Sequence, residues 1–300
     1  MYYLTENDVL NNLEMSTVIE AVREAFIEYH RGEAGAEARI RMRTSHSMLN
    51  VMPAFMNKYG ISGLKVYTAG ETGAKFEVLI FDAERNEIIA AIEANRLGQM
   101  RTGAVTALAT SLLRGKCDRF ALIGSGFQAE TQLEGILSLF DTDVRVFSRT
   151  HANCERFVER MKKKFGRKIE CAESLMKAVE GADVISCITS SSEPIITDLS
   201  FLDEYHLNLA GANIPSRREA STDVLMQSDL VVAEHLEQAI KESSEITDFL
   251  KKGGRVVEFK DVVANPSNFR GKRTIFKSMG IGLEDIATGY QLLKNMGLVA

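Results

Sequence analysis

The sequence predicts an α/β protein with two domains: a Rossmann-type, doubly wound parallel sheet, and a mixed or antiparallel α+β domain. Up to about residue 93, short apolar segments alternate with turn-rich pieces such as "NKYG" and "DAERNE", which is typical of antiparallel strands. Beyond residue 113, strand-like and helical segments alternate, which is typical of βα units around a parallel sheet. A glycine-rich turn after the first of these later strands is the third observation.

Composition sets the general class of protein. The 300 residues are 45% apolar and 26% charged, and 36 basic against 41 acidic residues give a net charge of −5. No long block of one charge indicates a nucleic-acid surface or a polybasic membrane patch. The chain shows no charged leader and no apolar run near the roughly 20 residues of a membrane span, so we expect a cytoplasmic protein.

The four cysteines show no spacing typical of a metal knuckle or a redox motif. We therefore expect no metal site, and buried free thiols at Cys117, Cys154, Cys171 and Cys187.

In the first domain, Thr5 with Asp8 and Thr17 with Glu20 resemble the capping signals that open helices. The second helix has one apolar face, formed by Val18, Val22, Ala25, Phe26 and Tyr29. Strands are expected over 38–44, 48–55, 62–69, 75–82 and 87–93. Residues 95–113 are interpreted as a loop entering an Ala-rich helix.

In the second domain, the expected strands are 119–123, 143–148, 168–171, 182–188, 206–210 and 229–234, with helices between the earlier ones. The last segment, 282–298, is an amphipathic helix with Ile286, Tyr290 and Leu293 on one face, and we expect it to return to the first domain. The predicted domains are therefore residues 1–112 with 277–300, and residues 113–276.

The stretch "ALIGSGFQAETQ" carries a dinucleotide-binding pattern, G-x-G-x-x-A. Gly124 would permit the tight turn, Gly126 would let phosphates approach the backbone, and Ala129 would let helix and strand pack closely. Because the pattern lies between an apolar strand and a predicted helix, the free N–H groups at the helix start favour a pyrophosphate.

The next strand ends in Ser148, Arg149 and Thr150, where an NAD-binding protein usually has Asp or Glu to hold the ribose hydroxyls. A guanidinium and two hydroxyls suit a 2′-phosphate, which a carboxylate would repel. We therefore expect NADP(H) to be preferred, with NAD(H) as the alternative. The competing interpretation is that Arg149 is only solvated and Thr150 only caps the next helix.

Several motifs, in order, resemble the ornithine cyclodeaminase and mu-crystallin family: "MRTGAVTALAT", "ALIGSGFQAE", "GANIPSRRE" and "IFKSMGIGLEDIA", with "VMPAF" and "GLKVYT" before them. The resemblance implies a homodimer in which a Rossmann domain is inserted between an N-terminal substrate domain and a C-terminal helix that completes it. It also implies an oxidoreductase acting on a C–N bond, through ornithine cyclodeamination, alanine dehydrogenation or reduction of cyclic ketimines.

By the same resemblance, a substrate carboxylate is held by Arg101, Lys65 and an arginine of "ARIRMRT". Arg39 fits this third position best by its distance from Met52, but Arg41 and Arg43 share its strand face. Lys65 is also a candidate proton donor. The expected cofactor-binding residues are Thr102, Gly124, Ser125, Gly126, Phe127, Gln128, Ala129, Ser148, Arg149, Thr150, Thr189, Ser278 and Gly280.

The chain departs from the ornithine cyclodeaminase pattern at Asn213, where that enzyme has an Asp, and at Asn50, where a glutamate is expected. An amide accepts no proton at neutral pH, which disfavours deamination, whereas a ketimine reductase needs no carboxylate base. We therefore predict an NADPH-dependent reductase of a small cyclic imino acid, such as pyrroline- or piperideine-2-carboxylate, with Asn213 beside the reacting nitrogen. The alternatives are ornithine cyclodeaminase, alanine or another amino-acid dehydrogenase, and a protein that binds NADPH and a small ligand without turnover.

Overall fold

The computed structural model describes residues 1–71 and 73–299. The chain forms two compact units: Met1–Val105 together with the residues from Gly280 onward, and Thr106–Met279. The sequence had placed the boundaries after residues 112 and 276, whereas the first division falls inside the helix Asn95–Leu113. The predicted class is confirmed: one unit contains a mixed sheet and the other a parallel sheet.

The first unit is built from strands β1–β7 and four helices, α3 continuing into the second unit. Its elements are β1 Tyr2–Leu4, α1 Glu6–Asn12, α2 Met15–Arg31, β2 Ala34–Ala36, β3 Ile40–Arg43, β4 Ser47–Met56, β5 Ile61–Gly70, β6 Gly73–Asp82, β7 Glu87–Glu93, α3 Asn95–Leu113 and α11 Gly282–Asn295. The strand order is β1-β7-β6-β5-β4-β2, with β3 also paired to β4. Helix α11 packs on α2 and on β4, β5 and β6, so its apolar face closes the core of this unit.

Two local expectations in the first unit need correction. Thr17 does not open α2, because the helix begins at Met15 and the Thr17 hydroxyl donates to the Glu14 carbonyl from inside its first turn. The expected loop before Arg101 is helical from Asn95 onward. The Glu6 carboxylate accepts from the Asn95 and Arg96 N–H groups at 2.6 and 3.0 Å, which satisfies the helix start from a distant part of the chain.

The second unit contains strands β8–β15 and the connecting helices. Its elements are β8 Arg119–Ile123, α4 Ala129–Leu139, β9 Asp143–Phe147, α5 His151–Phe165, β10 Ile169–Cys171, α6 Leu175–Val179, β11 Val184–Cys187, β12 Tyr205–Leu209, α7 Thr222–Met226, β13 Leu230–Ala233, α8 Leu236–Glu242, α9 Ser244–Lys251, β14 Val256–Glu258, α10 Phe259–Ala264 and β15 Arg273–Lys277. The strands are parallel in the order β10-β9-β8-β11-β12-β15-β13-β14. The order reverses beside β8, and ligands bind at such a point in open α/β sheets.

The cysteines are only partly as expected. Cys117 and Cys187 are buried free thiols, but Cys154 on α5 and Cys171 on β10 form a disulfide. The helix and the strand bring together two residues that lie 17 positions apart in the sequence, and no local spacing pattern shows this. Among the described helices, none is both long and apolar enough to cross a bilayer.

Candidate functional site

A cleft in the second unit lies at the carboxyl ends of β8, β9 and β11 and encloses about 600 Å³. It is lined by Ile123, Gly124, Ser125, Gly126, Phe147, Ser148, Arg149, Thr150, Asn153, Ile188, Thr189, Ser190, Ser191, Ser192 and Ile195. This is the size of an ordinary cofactor pocket, and the strand order reverses here. The sequence motif and the last residues of β9 therefore line one cleft.

The glycine-rich turn leaves the backbone accessible. Gly124 has a φ of +116°, and a Cβ there would lie 2.5 Å from the carbonyl oxygen of Ile188, so only glycine fits. Gly126 has open space where a Cβ would be, and Gln128, the N-cap residue of α4, makes no capping hydrogen bond through its side chain. The Gln128 Oε1 atom is buried without a hydrogen-bond partner among the described residues. The accessible glycine backbone at the start of α4 fits a bound pyrophosphate, whereas Gln128 Oε1, an acceptor, would not bind one.

At the end of β9, the Ser148 hydroxyl accepts from the Ser125 hydroxyl at 3.0 Å, which ties this loop to the glycine-rich turn. Arg149 and Thr150 are exposed at the edge of the cleft. Thr150 occupies the cap position of α5, but its side chain makes no capping hydrogen bond. Its hydroxyl is therefore not committed to the helix, and the three side chains together with the helix start form a surface suited to an anion.

Thr189, another expected cofactor residue, follows β11 and is bound to Glu219. The buried Glu219 carboxylate accepts from the Thr189 N–H at 2.7 Å and from its hydroxyl at 3.2 Å. Its other oxygen accepts from the Gly211 and Ala212 N–H groups at 2.7 and 3.2 Å, so Glu219 connects the ends of β11 and β12. Burial raises the pKa of Glu219. Sequence reasoning had not singled out this residue, although it lies within "GANIPSRRE".

A buried ion pair between Glu245 and Lys277 lies beside Glu219. Glu245 accepts from the Glu219 and Ala220 N–H groups at 2.6 and 2.9 Å, and its other oxygen pairs with Lys277 at 2.7 Å. All three side chains are at most 1% exposed.

The remaining residues expected in the second unit have different surroundings. Asn213 is half-buried in the loop after β12. The Ser278 hydroxyl is buried and donates to Glu234 at 2.9 Å. Phe127 is 60% exposed beside the glycine-rich turn.

In the first unit, the side chains expected to bind a carboxylate lie in a buried cluster with two acidic residues. Lys65 Nζ on β5 donates to Asp285 Oδ1 at 3.0 Å. Arg101 on α3 donates through Nε to the same oxygen at 3.0 Å and through Nη1 to Glu284 Oε2 at 2.9 Å. Glu284 and Asp285 are adjacent in the first turn of α11 and are fully buried.

Arg39 is connected to this cluster through Gly280. Its Nη2 donates to the Gly280 carbonyl at 3.0 Å, and it is 9% exposed. Gly280 has a φ of +73°, and a Cβ there would lie 2.5 Å from Arg101 Nη1. The structure therefore places Arg39 beside Arg101. By contrast, Arg41 is half-buried and donates to Asn50 at 3.2 Å, and Arg43 is exposed.

Gly98 lies one turn before Arg101 and, having no side chain, leaves room for the Lys65 ammonium. A Cβ on Gly98 would lie only 2.5 Å from Lys65 Nζ. Thr102 donates its hydroxyl to the Gly98 carbonyl at 2.8 Å, which occupies that hydroxyl inside α3. Sequence reasoning missed Gly98, Glu284 and Asp285; the acidic pair stands inside "IGLEDIA", and nothing local indicates which cations it meets.

Burial lowers the pKa of Lys65 to about 8 because the charged form loses hydration; Asp285 opposes the shift, and Arg101 and Arg39 add to it. Three cations and two carboxylates leave one net positive charge when Lys65 is protonated. Such a cluster suits one bound carboxylate. Among the described residues, no group of three or more His, Cys, Asp or Glu side chains is arranged to hold a metal ion.

Comparisons with known proteins agree with this fold. The model of the ornithine cyclodeaminase/mu-crystallin family matches residues 2–296. The chain is 28% identical to the ketimine reductase mu-crystallin of Mus musculus, over 95% of this chain and 94% of that protein. It is 27% identical to an alanine dehydrogenase of Archaeoglobus fulgidus, over 97% and 94% of the two chains.

A solved structure covers essentially the whole fold. It is the Δ1-pyrroline-2-carboxylate reductase of Thermococcus litoralis in complex with NADH and L-proline, with a TM-score of 0.90 and 26% identity over 100% of this chain and 99% of that one. These three similar proteins are two reductases and a dehydrogenase. The chain belongs to the ornithine cyclodeaminase/mu-crystallin family.

Proposed function

We propose that this protein is an NADPH-dependent reductase of a small cyclic imino acid, such as pyrroline-2-carboxylate or piperideine-2-carboxylate. The reaction converts the imine, NADPH and one proton into the cyclic amino acid and NADP⁺. The observation that carries the proposal is the buried cluster of Arg39, Lys65 and Arg101, whose charge exceeds that of Glu284 and Asp285 by one. The likeness of the whole chain to ketimine and pyrroline-2-carboxylate reductases supports the same reaction.

The three cations hold the substrate carboxylate, which fixes the neighbouring imine carbon. Arg39 and Arg101 are themselves held, by Gly280 and by Glu284 with Asp285, so they are oriented before the substrate binds. Preorganised donors lose less entropy on binding than flexible surface side chains.

When bound, the nicotinamide supplies the hydride that forms the new C2–H bond, and the electron pair of the C=N bond passes to nitrogen. The glycine-rich turn with Gly124 and Gly126 cradles the phosphates of the cofactor. Arg149 and Thr150 contact the 2′-phosphate, which is the basis for a preference for NADPH over NADH.

Asn213 is assigned a hydrogen bond to the substrate nitrogen. Its amide takes up no proton at neutral pH, so it orients the nitrogen without acting as a base. Lys65 is the proton donor when the imine binds unprotonated. Its pKa, lowered to about 8 by burial, lies close to the working pH of most enzymes, which suits a general acid.

A second candidate is an amino-acid dehydrogenase, favoured by the 27% identity to an alanine dehydrogenase. Such an enzyme would hold the same α-carboxylate. The two activities differ in whether the imine is cyclic or forms from a keto acid and ammonia.

The test follows nicotinamide absorbance with purified protein, offering NADPH and NADH separately with pyrroline-2-carboxylate, with pyruvate plus ammonia, and in reverse with ornithine. NADPH oxidation with the cyclic imine supports the proposal, and turnover only with pyruvate and ammonia favours the dehydrogenase. Thermal stabilisation by NADPH and imine without any oxidation would identify a binding protein. Arg101→Ala should lower kcat/KM by at least tenfold, while the exposed Arg43→Ala serves as the charge-matched control.

We also propose that the protein is a homodimer and acts in the cytoplasm. Large apolar side chains are exposed on three strands of the first unit: Ile40 and Met42 on β3, Phe55 on β4 and Ile88 on β7. Burying such side chains would favour association of two copies. Light scattering coupled to size exclusion would show a mass twice the 33.2 kDa of the chain, and a monomer would contradict the proposal.

A further inference from the structure

Asp285 has an unusual position in the carboxylate-binding cluster. It is fully buried, and the hydrogen bonds from Lys65 Nζ and Arg101 Nε reach the same oxygen, each at 3.0 Å. Its second oxygen, Oδ2, is buried with no hydrogen-bond partner among the described residues. A carboxylate that served only to neutralise an arginine would be expected to use both oxygens in a bidentate pair. Here Arg101 divides its donors between Asp285 and Glu284, and Lys65 shares the Asp285 oxygen.

The charges around Lys65 explain why its contact with Asp285 matters. Lys65 is 3% exposed, and Arg39 and Arg101 disfavour the charge of its ammonium. Asp285 from α11 is the group that favours the charge, and the Phe76 ring of β6 lies 5.2 Å from Nζ. Glu284, in the same turn of α11, pairs with Arg101. Removal of Asp285 would therefore leave Lys65 facing two guanidinium groups with its closest counter-charge lost.

We infer that Asp285 is a positioning residue of the proposed reaction: through Oδ1 it fixes the Lys65 ammonium beside Arg101 and keeps it charged as the proton donor. The inference rests on the proposed function for the identity of the reaction, but the Lys65–Asp285 couple itself is a property of the cluster. In the reaction, the ammonium N–H bond breaks and an N–H bond forms on the imine nitrogen. Lys65 is left neutral and regains its proton from water.

The packing supports this assignment. Gly98 leaves room for Nζ, since a Cβ there would be 2.5 Å from Nζ and 3.9 Å from Asp285 Oδ1. Asp285 follows directly after Glu284 on a buried helix, so its position is set by the backbone of α11. Both partners of the couple are thus held on regular elements, which gives more precise positioning than loops would.

The experiment measures binding of pyrrole-2-carboxylate, a flat ring acid that is not reduced, by calorimetry from pH 6 to 10. Binding of its carboxylate should weaken as Lys65 loses its proton, with a midpoint near pH 8 in the unmodified protein. In Asp285→Asn the midpoint should fall by at least one pH unit. At pH 8 the charged fraction of Lys65 would then fall about fivefold. Lys65→Met should abolish this pH dependence of binding, which would assign the titration to Lys65.

Glu284→Gln is the matched control, because it removes the same charge from the same helical turn but from the partner of Arg101. Glu284→Gln should change the affinity for pyrrole-2-carboxylate and leave the pH midpoint of binding unchanged. Asp285→Glu, which keeps the charge, should return the midpoint toward that of the unmodified protein, and thermal unfolding shows whether each variant is folded. If Asp285→Asn does not fold, the inference is tested by comparing the pH profile of binding in Asp285→Glu with the profile in Lys65→Met.

Equal midpoint shifts in Asp285→Asn and Glu284→Gln, or no shift in a folded Asp285→Asn, would overturn the inference. Binding of pyrrole-2-carboxylate that does not change with pH in the unmodified protein would also overturn the inference, even if that protein reduces cyclic imines. A normal binding profile without imine turnover would instead reject the proposed reaction and leave the Lys65–Asp285 couple in place.

Discussion

Replacing Arg149 by alanine should weaken NADPH binding and leave NADH binding almost unchanged, because only NADPH carries the 2′-phosphate. A charge-assisted hydrogen bond contributes about 1.5–3 kcal/mol. Arg149 is exposed at the cleft edge, so solvent screening places the effect at the lower end, about 1.5 kcal/mol or roughly tenfold in Kd. The assay is calorimetric titration of each cofactor into the unmodified and variant proteins at fixed ionic strength, since salt screens an exposed contact.

Lys163→Ala is the control for this prediction. Lys163 is an exposed cation on α5, the helix that begins shortly after Arg149; it lies 12 residues beyond His151, about 18 Å further along, and its loss changes the net charge equally. The reasoning would be refuted if Arg149→Ala weakened both cofactors equally, or if Lys163→Ala reproduced the loss for NADPH. Ser148→Asp should reverse the preference, because a carboxylate there accepts from the ribose hydroxyls and repels the phosphate.

Three further predictions concern Gly98, His206 and Asn213. Gly98→Ala should reduce imine turnover at least tenfold, because its Cβ would lie 2.5 Å from Lys65 Nζ; unchanged steady-state kinetics would contradict the tight fit. His206, with a pKa lowered to about 4 by burial, stays neutral in the folded protein while the unfolded chain takes up a proton below about pH 6.5. The free energy of unfolding should therefore fall by up to about 3 kcal/mol as pH drops from 6.5 to 4, and urea titrations of His206→Gln should show a smaller fall. Asn213→Asp should increase oxidative deamination relative to imine reduction, and an unchanged ratio of the two rates would argue against the role assigned to Asn213.

Strands β8–β13 of the parallel sheet and most of the mixed sheet could be predicted because their signals are local, whereas β14 and β15 were not expected. The five strands expected before residue 94 correspond to β3–β7, and the capping box at Thr5 is confirmed. The strands β1 and β2 were missed because each has three residues, too few for a periodic pattern. Over 95–113 the Ala-rich helix is confirmed, but it begins at Asn95 without a preceding loop, because the carboxylate that caps it comes from Glu6, about ninety residues earlier.

The sequence by itself determined the fold class, the family and the types of residue at the candidate site. Alternating apolar positions, the glycines of the dinucleotide turn and the absence of a carboxylate after β9 are all visible over a few residues. Only the tertiary structure decided which arginine joins the buried cluster, that Asp285 and Glu284 offset two of its three positive charges, that Glu219 connects β11 to β12, and that Cys154 is bonded to Cys171. These contacts join residues from different helices and strands. Burial makes them strong, because an unpaired charge in the interior is far more costly than one in water, and the chain acquires that interior only when it folds.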